Sequence, residues 1–258
     1  RDRLRSRGLG DVYKRQTNMN KMGLTLIYLW LVSLCSCQQE LIEYEKGDVK
    51  VHIEQGEQWL HDFPLFLGIN KKNPPQIAIW LEDTQGNYLS TVYVTHKIAT
   101  QSWQASGGNR RKEALPHWCY SRGIKYDDGL YLPTKKEPLT DGISGATPHG
   151  SFDIKLSPTT ALKKFVVKIE INHSTDFNEA FPKLAKEGET NYSGGKEGSG
   201  QPAIVYTANV DLLSGEKSFE ANLIGHSSPD GSSGEINEDT SGLTTALHIV
   251  KRITVTIQ

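Results

Sequence analysis

Alternation between apolar and polar positions dominates the chain from residue 49 onward. Segments 49–54 (VKVHIE), 76–82 (QIAIWLE), 88–96 (YLSTVYVTH), 150–156 (GSFDIKL), 165–172 (FVVKIEIN), 203–212 (AIVYTANVDL) and 249–257 (IVKRITVTI) repeat with period two and favour β-branched and aromatic residues. Successive side chains of an extended strand point to opposite faces, so this pattern predicts half-buried strands. Asp83-Thr84-Gln85-Gly86-Asn87 separates two of them with residues suited to a hairpin connection. Seven such segments and little helical periodicity predict an all-β fold, an immunoglobulin- or fibronectin-like β-sandwich with long loop insertions. One helical patch is expected at 112–121, interrupted by Pro116. Trp59, Trp80, Trp103 and Trp118 are expected in the core or on sheet faces rather than in a ligand cage. Loops 123–140, 183–201 and 225–242 are rich in Gly, Ser and charge, and loops of that length are commonly functional or mobile.

Composition adds a compartment to this picture. The 258 residues carry 29 basic and 30 acidic groups, but residues 1–37 hold seven of the former and two of the latter, so the rest carries 22 against 28, or −6. A mildly acidic body lacks the basic footprint that phosphate-backbone recognition needs, which argues against a nucleic-acid partner. Three cysteines, two of them at Cys35 and Cys37, exclude a disulfide scaffold and a multi-cysteine zinc site.

The amino-terminal region divides into three pieces. Residues 1–16 resemble the translation of a transposase-type sequencing adaptor read in frame, which implies a start at Met19 or Met22 and sets the segment apart from the fold. Residues 17–36 have the form of a signal peptide, with Lys21 ahead of a twelve-residue apolar stretch at 23–34, too short for the roughly 20 residues of a bilayer span. Leu34-Cys35-Ser36-Cys37 resembles the bacterial lipobox. That resemblance implies acylation of Cys37, a membrane partner through the lipid, and a place in the bacterial cell envelope, periplasmic or on the outer membrane. Residues 37–48 then form a tether that spans roughly 35 Å when extended, ahead of a single domain at 49–258.

One motif carries sharp chemistry. Residues 141–147 read Asp-Gly-Ile-Ser-Gly-Ala-Thr and are followed by Pro148-His149-Gly150. The segment resembles the D-x-x-[ST]-G-A-T signature modified by bacterial flavin transferases. The resemblance implies Thr147 as the acceptor of covalent FMN through a phosphoester, with Asp141, Ser144, Gly145 and Ala146 as the frame the transferase recognises. A threonine hydroxyl needs a base or metal to become a nucleophile, and the transferase would supply it. The target need only present an exposed hydroxyl with little bulk around it, which Gly145 and Ala146 provide. A chance match at the five fixed positions is on the order of one in a thousand at ordinary residue frequencies. The same residues are also good turn chemistry leading into the strand at 150–156, and sequence leaves both readings open.

The string from Ile77 to Asp83, then Gly86-Asn87-Tyr88, then 141–150 and its strand, is similar to the periplasmic proteins of domain-of-unknown-function family 2271, over roughly residues 76–172. That resemblance implies an immunoglobulin-like fold in an envelope redox setting, beside flavin transferases and membrane redox proteins. Other constellations are weaker. His173, Asp176, Asn178 and Glu179 could serve a cation but fit a satisfied strand-end turn better, and Cys119 is expected to be buried and inert. With no hydrolase, nucleotide-loop or dinucleotide signature to support a stand-alone enzyme, two functions stand: a lipid-anchored covalent FMN carrier in electron transfer, or a non-catalytic binding module whose loops form a recognition surface.

Overall fold

The computed structural model describes residues 49–64, 70–103, 110–140, 142–156 and 162–258. Residues 1–48, with the adaptor-like segment, the signal and Cys37, lie outside them, as does Asp141. In chain order the strands are β1 (Val49–Gln55), β2 (His61–Pro64), β3 (Asn70–Asn73), β4 (Gln76–Glu82), β5 (Tyr88–Thr95), β6 (Ile143–Gly145) and β7 (Phe152–Leu156). They continue with β8 (Lys164–Asn172), β9 (Ile204–Asp211), β10 (Ser218–Glu220), β11 (Asn222–Ser227), β12 (Ile236–Asn237) and β13 (Val250–Ile257). Helix α1 (His96–Thr100) follows β5 directly, and α2 (Pro116–Ser121) lies between β5 and β6 in sequence.

The strands build an all-β sandwich. A four-stranded sheet runs β10-β13-β1-β7, a seven-stranded sheet runs β12-β11-β9-β8-β4-β5-β6, and β2 with β3 forms a separate hairpin. All ladders are antiparallel except β5 with β6. The main core lies between the two large sheets: Val51, Ile53, Phe152, Ile154, Ile253 and Val255 from one meet Ile77, Ile79, Phe165, Val167, Ile169 and Ile204 from the other. Each buried side chain of this size contributes about 1.5–3 kcal/mol by leaving water.

The seven-stranded sheet is covered on its second face as well. Every residue of β4 is buried, because alternate side chains serve two cores. Ile77, Ile79 and Leu81 enter the main core, while Ala78 and Trp80 join Val94, Ile98, Ala99, Leu115, Trp118, Cys119 and Leu132 in the second. Helices α1 and α2 and the 123–140 connection form that cover. Pro116 opens α2 instead of interrupting a longer helix, since a proline has no N–H to lose at the first helical position. Residues 112–115 ahead of it form turns.

The connections at 183–201 and 225–242 are more organised than their composition suggests. The first contains a 3₁₀ turn at Gly195–Glu197, buries Ser193 and Ser199, and forms a parallel bridge from Gly200 to Asp176. The second supplies β12, which pairs with β11 through His226–Asn237 and Ser227–Ile236.

Candidate functional site

The 142–147 segment begins flat against the sheet. A Cβ on Gly142 would sit 2.7 Å from the Thr91 side chain, so that position admits only glycine at this spacing. β6 then pairs in parallel with β5, placing Ser144 opposite Val94 and Gly145 opposite Thr95. Beyond Gly145 the chain leaves the seven-stranded sheet and crosses to β7 in the four-stranded one. Thr147 sits in this crossover.

Two buried aromatic residues hold the backbone on either side of it. The Tyr93 hydroxyl donates to the carbonyl of Ala146 at 3.1 Å, with a longer contact of 3.4 Å to that of Gly145. The Trp59 indole Nε1–H donates to the carbonyl of Pro148 at 3.0 Å. Both rings are locked in the main core at 0% and 2% exposure. The Thr147 side chain itself is half-buried, and its hydroxyl makes no hydrogen bond to a described residue. Ser144 and Ala146 are exposed and Gly145 is half-buried.

Thr147 borders a cleft of about 740 Å³. The cleft opens at the end of the seven-stranded sheet where β4 starts and β5, β6 and β8 finish. Its walls come from the β2–β3 hairpin (His61, Phe63, Lys71, Asn73), from α1 (His96, Lys97), from Trp103 and Arg111, and from His173 and Ser174 after β8. Gln76 and Thr95 lie among the lining residues and are bound to each other, the Thr95 hydroxyl donating to Gln76 Oε1 at 2.8 Å. Ligand sites for drug-sized molecules span a comparable range of about 300–1,000 Å³.

The electrostatics of this cleft oppose those of the body. Among the described residues, Lys71, Lys97 and Arg111 line it against a single carboxylate, Glu197, and four of the chain's eight histidines, His61, His96, His149 and His173, line it as well. Partial burial, reinforced by the charges of Lys71 and Arg111, holds the Lys97 ammonium below the ordinary lysine range. Its Nζ lies 5.7 Å from the centre of the Trp103 ring. Arg111 is fixed more tightly. Its Nε donates to Glu113 Oε1 at 2.8 Å, its Nη1 to Ser174 Oγ at 2.5 Å and its Nη2 to Ser199 Oγ at 3.1 Å, with the guanidinium 4.6 Å from the Trp103 ring centre. Burial holds the His173 imidazole neutral down to about 4, and its Nε2–H donates to the Gln58 carbonyl at 2.8 Å.

The remaining expected residues have structural employment. The Asp176 carboxylate accepts from the Thr245 hydroxyl at 2.6 and 2.7 Å, and Asn178 Nδ2 donates to the Gly242 carbonyl at 2.9 Å. Cys119 is buried at 2% exposure, and desolvation drives its thiol pKa far upward, which leaves it protonated and unreactive. Trp59, Trp80, Trp103 and Trp118 are all buried in the cores, and Trp103 also lines the cleft. The sequence singles out Thr147 and His173 but not Lys71, Lys97, Arg111 or the other three histidines of the cleft. They come from segments far apart in the chain, and no local spacing marks them. Comparison with known protein families, characterised proteins and solved structures yields no match to this chain.

Proposed function

We propose that the protein is a lipid-anchored, extracytosolic carrier of FMN, joined covalently to Thr147, that passes electrons within the bacterial envelope. The observation that carries this reading is the setting of Thr147. It lies within a match to a flavin-transferase target sequence, its hydroxyl is free among the described residues, and it borders a cleft of about 740 Å³.

The residues present fit the group. Tyr93 and Trp59 fix the main chain at Ala146 and Pro148, so the hydroxyl is presented on a rigid support. Exposed Ser144 and Ala146 leave room for a modifying enzyme. Lys71, Lys97 and Arg111 offer positive charge to a phosphate, and Phe63 and Trp103 add aromatic surface. Bound FMN would supply one- and two-electron chemistry; the chain would position it, shield it and set its electrostatic environment. Resemblance to domain-of-unknown-function family 2271, with its immunoglobulin-like fold and its association with flavin transferases and membrane redox proteins, belongs to the same proposal, as does anchoring through Cys37.

Flavin absorbance tests it. Full-length protein co-produced with a flavin transferase should keep its yellow colour after denaturation and removal of free flavin, and Thr147→Val should be colourless. Colourless wild-type protein, made in cells that flavinylate a control target, would leave the second function: a non-catalytic envelope module whose long loops form a recognition surface.

A further inference from the structure

The cleft beside Thr147 is cationic in a body that is acidic, and two of its cations lack counter-charges. Neither Lys71 nor Lys97 has an ion-pair partner among the described residues. Lys71 lies close enough to disfavour the charge on Lys97, and the Arg111 guanidinium adds to that repulsion. A soluble protein gains nothing by gathering like charges in a concavity unless something of opposite sign enters it, since an opposite charge at short range favours the charged forms.

Arg111 is the fixed member. Glu113, Ser174 and Ser199 take one N–H from each of its three nitrogens, which locks the guanidinium plane and leaves further N–H groups on Nη1 and Nη2. Lys71 on β3 and Lys97 on α1 are exposed and jointed, so they can close on an anion from two sides.

We infer that Lys71, Lys97 and Arg111 form an anion seat that holds the phosphate of a phosphorylated aromatic ligand in the cleft, independently of any covalent bond to Thr147. This rests on the FMN reading only for the choice of ligand. In the FMN carrier the seat would neutralise the phosphodiester and hold the flavin against the cleft wall. Before attachment it would hold a free phosphate monoester.

The test uses full-length Thr147→Val protein, which has the cleft but no acceptor hydroxyl, titrated separately with FMN, with riboflavin and with inorganic phosphate. FMN should bind at least about ten times more tightly than riboflavin, a difference of one charge-assisted contact or more. Inorganic phosphate should displace FMN without displacing riboflavin. Lys71→Gln and Lys97→Gln, both exposed and checked for folding by near-ultraviolet dichroism, should each bring FMN close to the riboflavin value. Equal affinities for FMN and riboflavin, unchanged preference in both lysine variants, or binding of neither flavin would each overturn the seat. The two proposals fail separately. A wild-type chain that is never flavinylated, in a protein whose Thr147→Val form still prefers FMN, retires the ester and keeps the seat. A Thr147 adduct in a protein without that preference retires the seat and keeps the ester.

Discussion

Thr147 has a hydroxyl with no hydrogen-bond partner among the described residues, on a clamped backbone, and the clamp is made by residues whose sequence character suggests only packing. Tyr93→Phe and Trp59→Phe each delete one hydrogen-bond donor, to the Ala146 or the Pro148 carbonyl, while keeping most of the ring volume. Tyr93→Phe should cost about 1 kcal/mol of stability, and Trp59→Phe more, because it also removes part of a buried ring. On the flavin reading each should also slow attachment, measured as the modified fraction over time against the denaturation midpoint of the same variant. Loss of stability with no change in attachment would make these rings core residues only. A second buried group sets a pH signature. Glu170 is fully buried, and desolvation outweighs the N–H groups of Trp118 and His117 and the Ser227 hydroxyl, raising its carboxyl from 4.5 to about 7. The folded chain therefore keeps a proton that the unfolded chain releases near 4.5. Stability falls as pH rises from about 4.5 to about 7, by about 3 kcal/mol from this group. His117 and His173 act with the opposite sign, because burial keeps them neutral down to about 4 and stability falls as pH drops from 6.5 toward that value. The two effects overlap, so the readout is a difference: the stability advantage of wild type over Glu170→Gln should shrink by about 3 kcal/mol between pH 4.5 and 7.5 in denaturant titrations. The motif at 141–147 was legible because its chemistry is contiguous. Tyr93 and Trp59 were not, because a hydrogen bond to a carbonyl some fifty or ninety residues away leaves no mark on local sequence.

The strands show where alternation succeeds as a guide and where it stops. All seven period-two segments are strands, since burying one face is enough to specify each. β4 carries more: its odd residues serve the main core and its even ones the second. Ile79→Ala and Trp80→Ala should each lower stability, by about 2–5 and 3–5 kcal/mol respectively, in chemical denaturation, although the two side chains lie on opposite faces. A near-neutral Trp80→Ala would mean that the second core contributes little. β2, β3, β6, β10 and β12 escaped the sequence pattern because none exceeds four residues and most are polar or edge strands. β11 escaped because Gly225 interrupts its register at a bulge. The 183–201 connection reads as loose from its glycines, yet Gly200 has φ of +77°, and a Cβ there would lie 2.3 Å from the Asp176 carbonyl oxygen. Gly200→Ala should therefore cost more than about 1 kcal/mol, measured by thermal melting, and should disturb Ser199, one of the groups that fixes Arg111.

At the scale of the whole molecule, an acidic body carries a cationic cleft at one end of the larger sheet, and a lipid anchor is expected at Cys37. The cleft could not be read from sequence. Residues 61, 71, 97, 111, 147 and 173 meet only because β4, β5, β6 and β8 bring their ends together. The anchor makes a separate prediction. Cys37→Ser should move the protein from the membrane fraction to the soluble envelope fraction and abolish labelling by a fatty-acid probe; unchanged fractionation would contradict lipidation at that residue. The central claim rests on one oxygen atom, and tandem mass spectrometry of the peptide containing Thr147, taken from wild-type protein made alongside a flavin transferase, tests it most directly. The predicted result is an FMN phosphoester localised to the Thr147 side chain. An unmodified peptide, from cells in which a control target is fully flavinylated, would contradict the account.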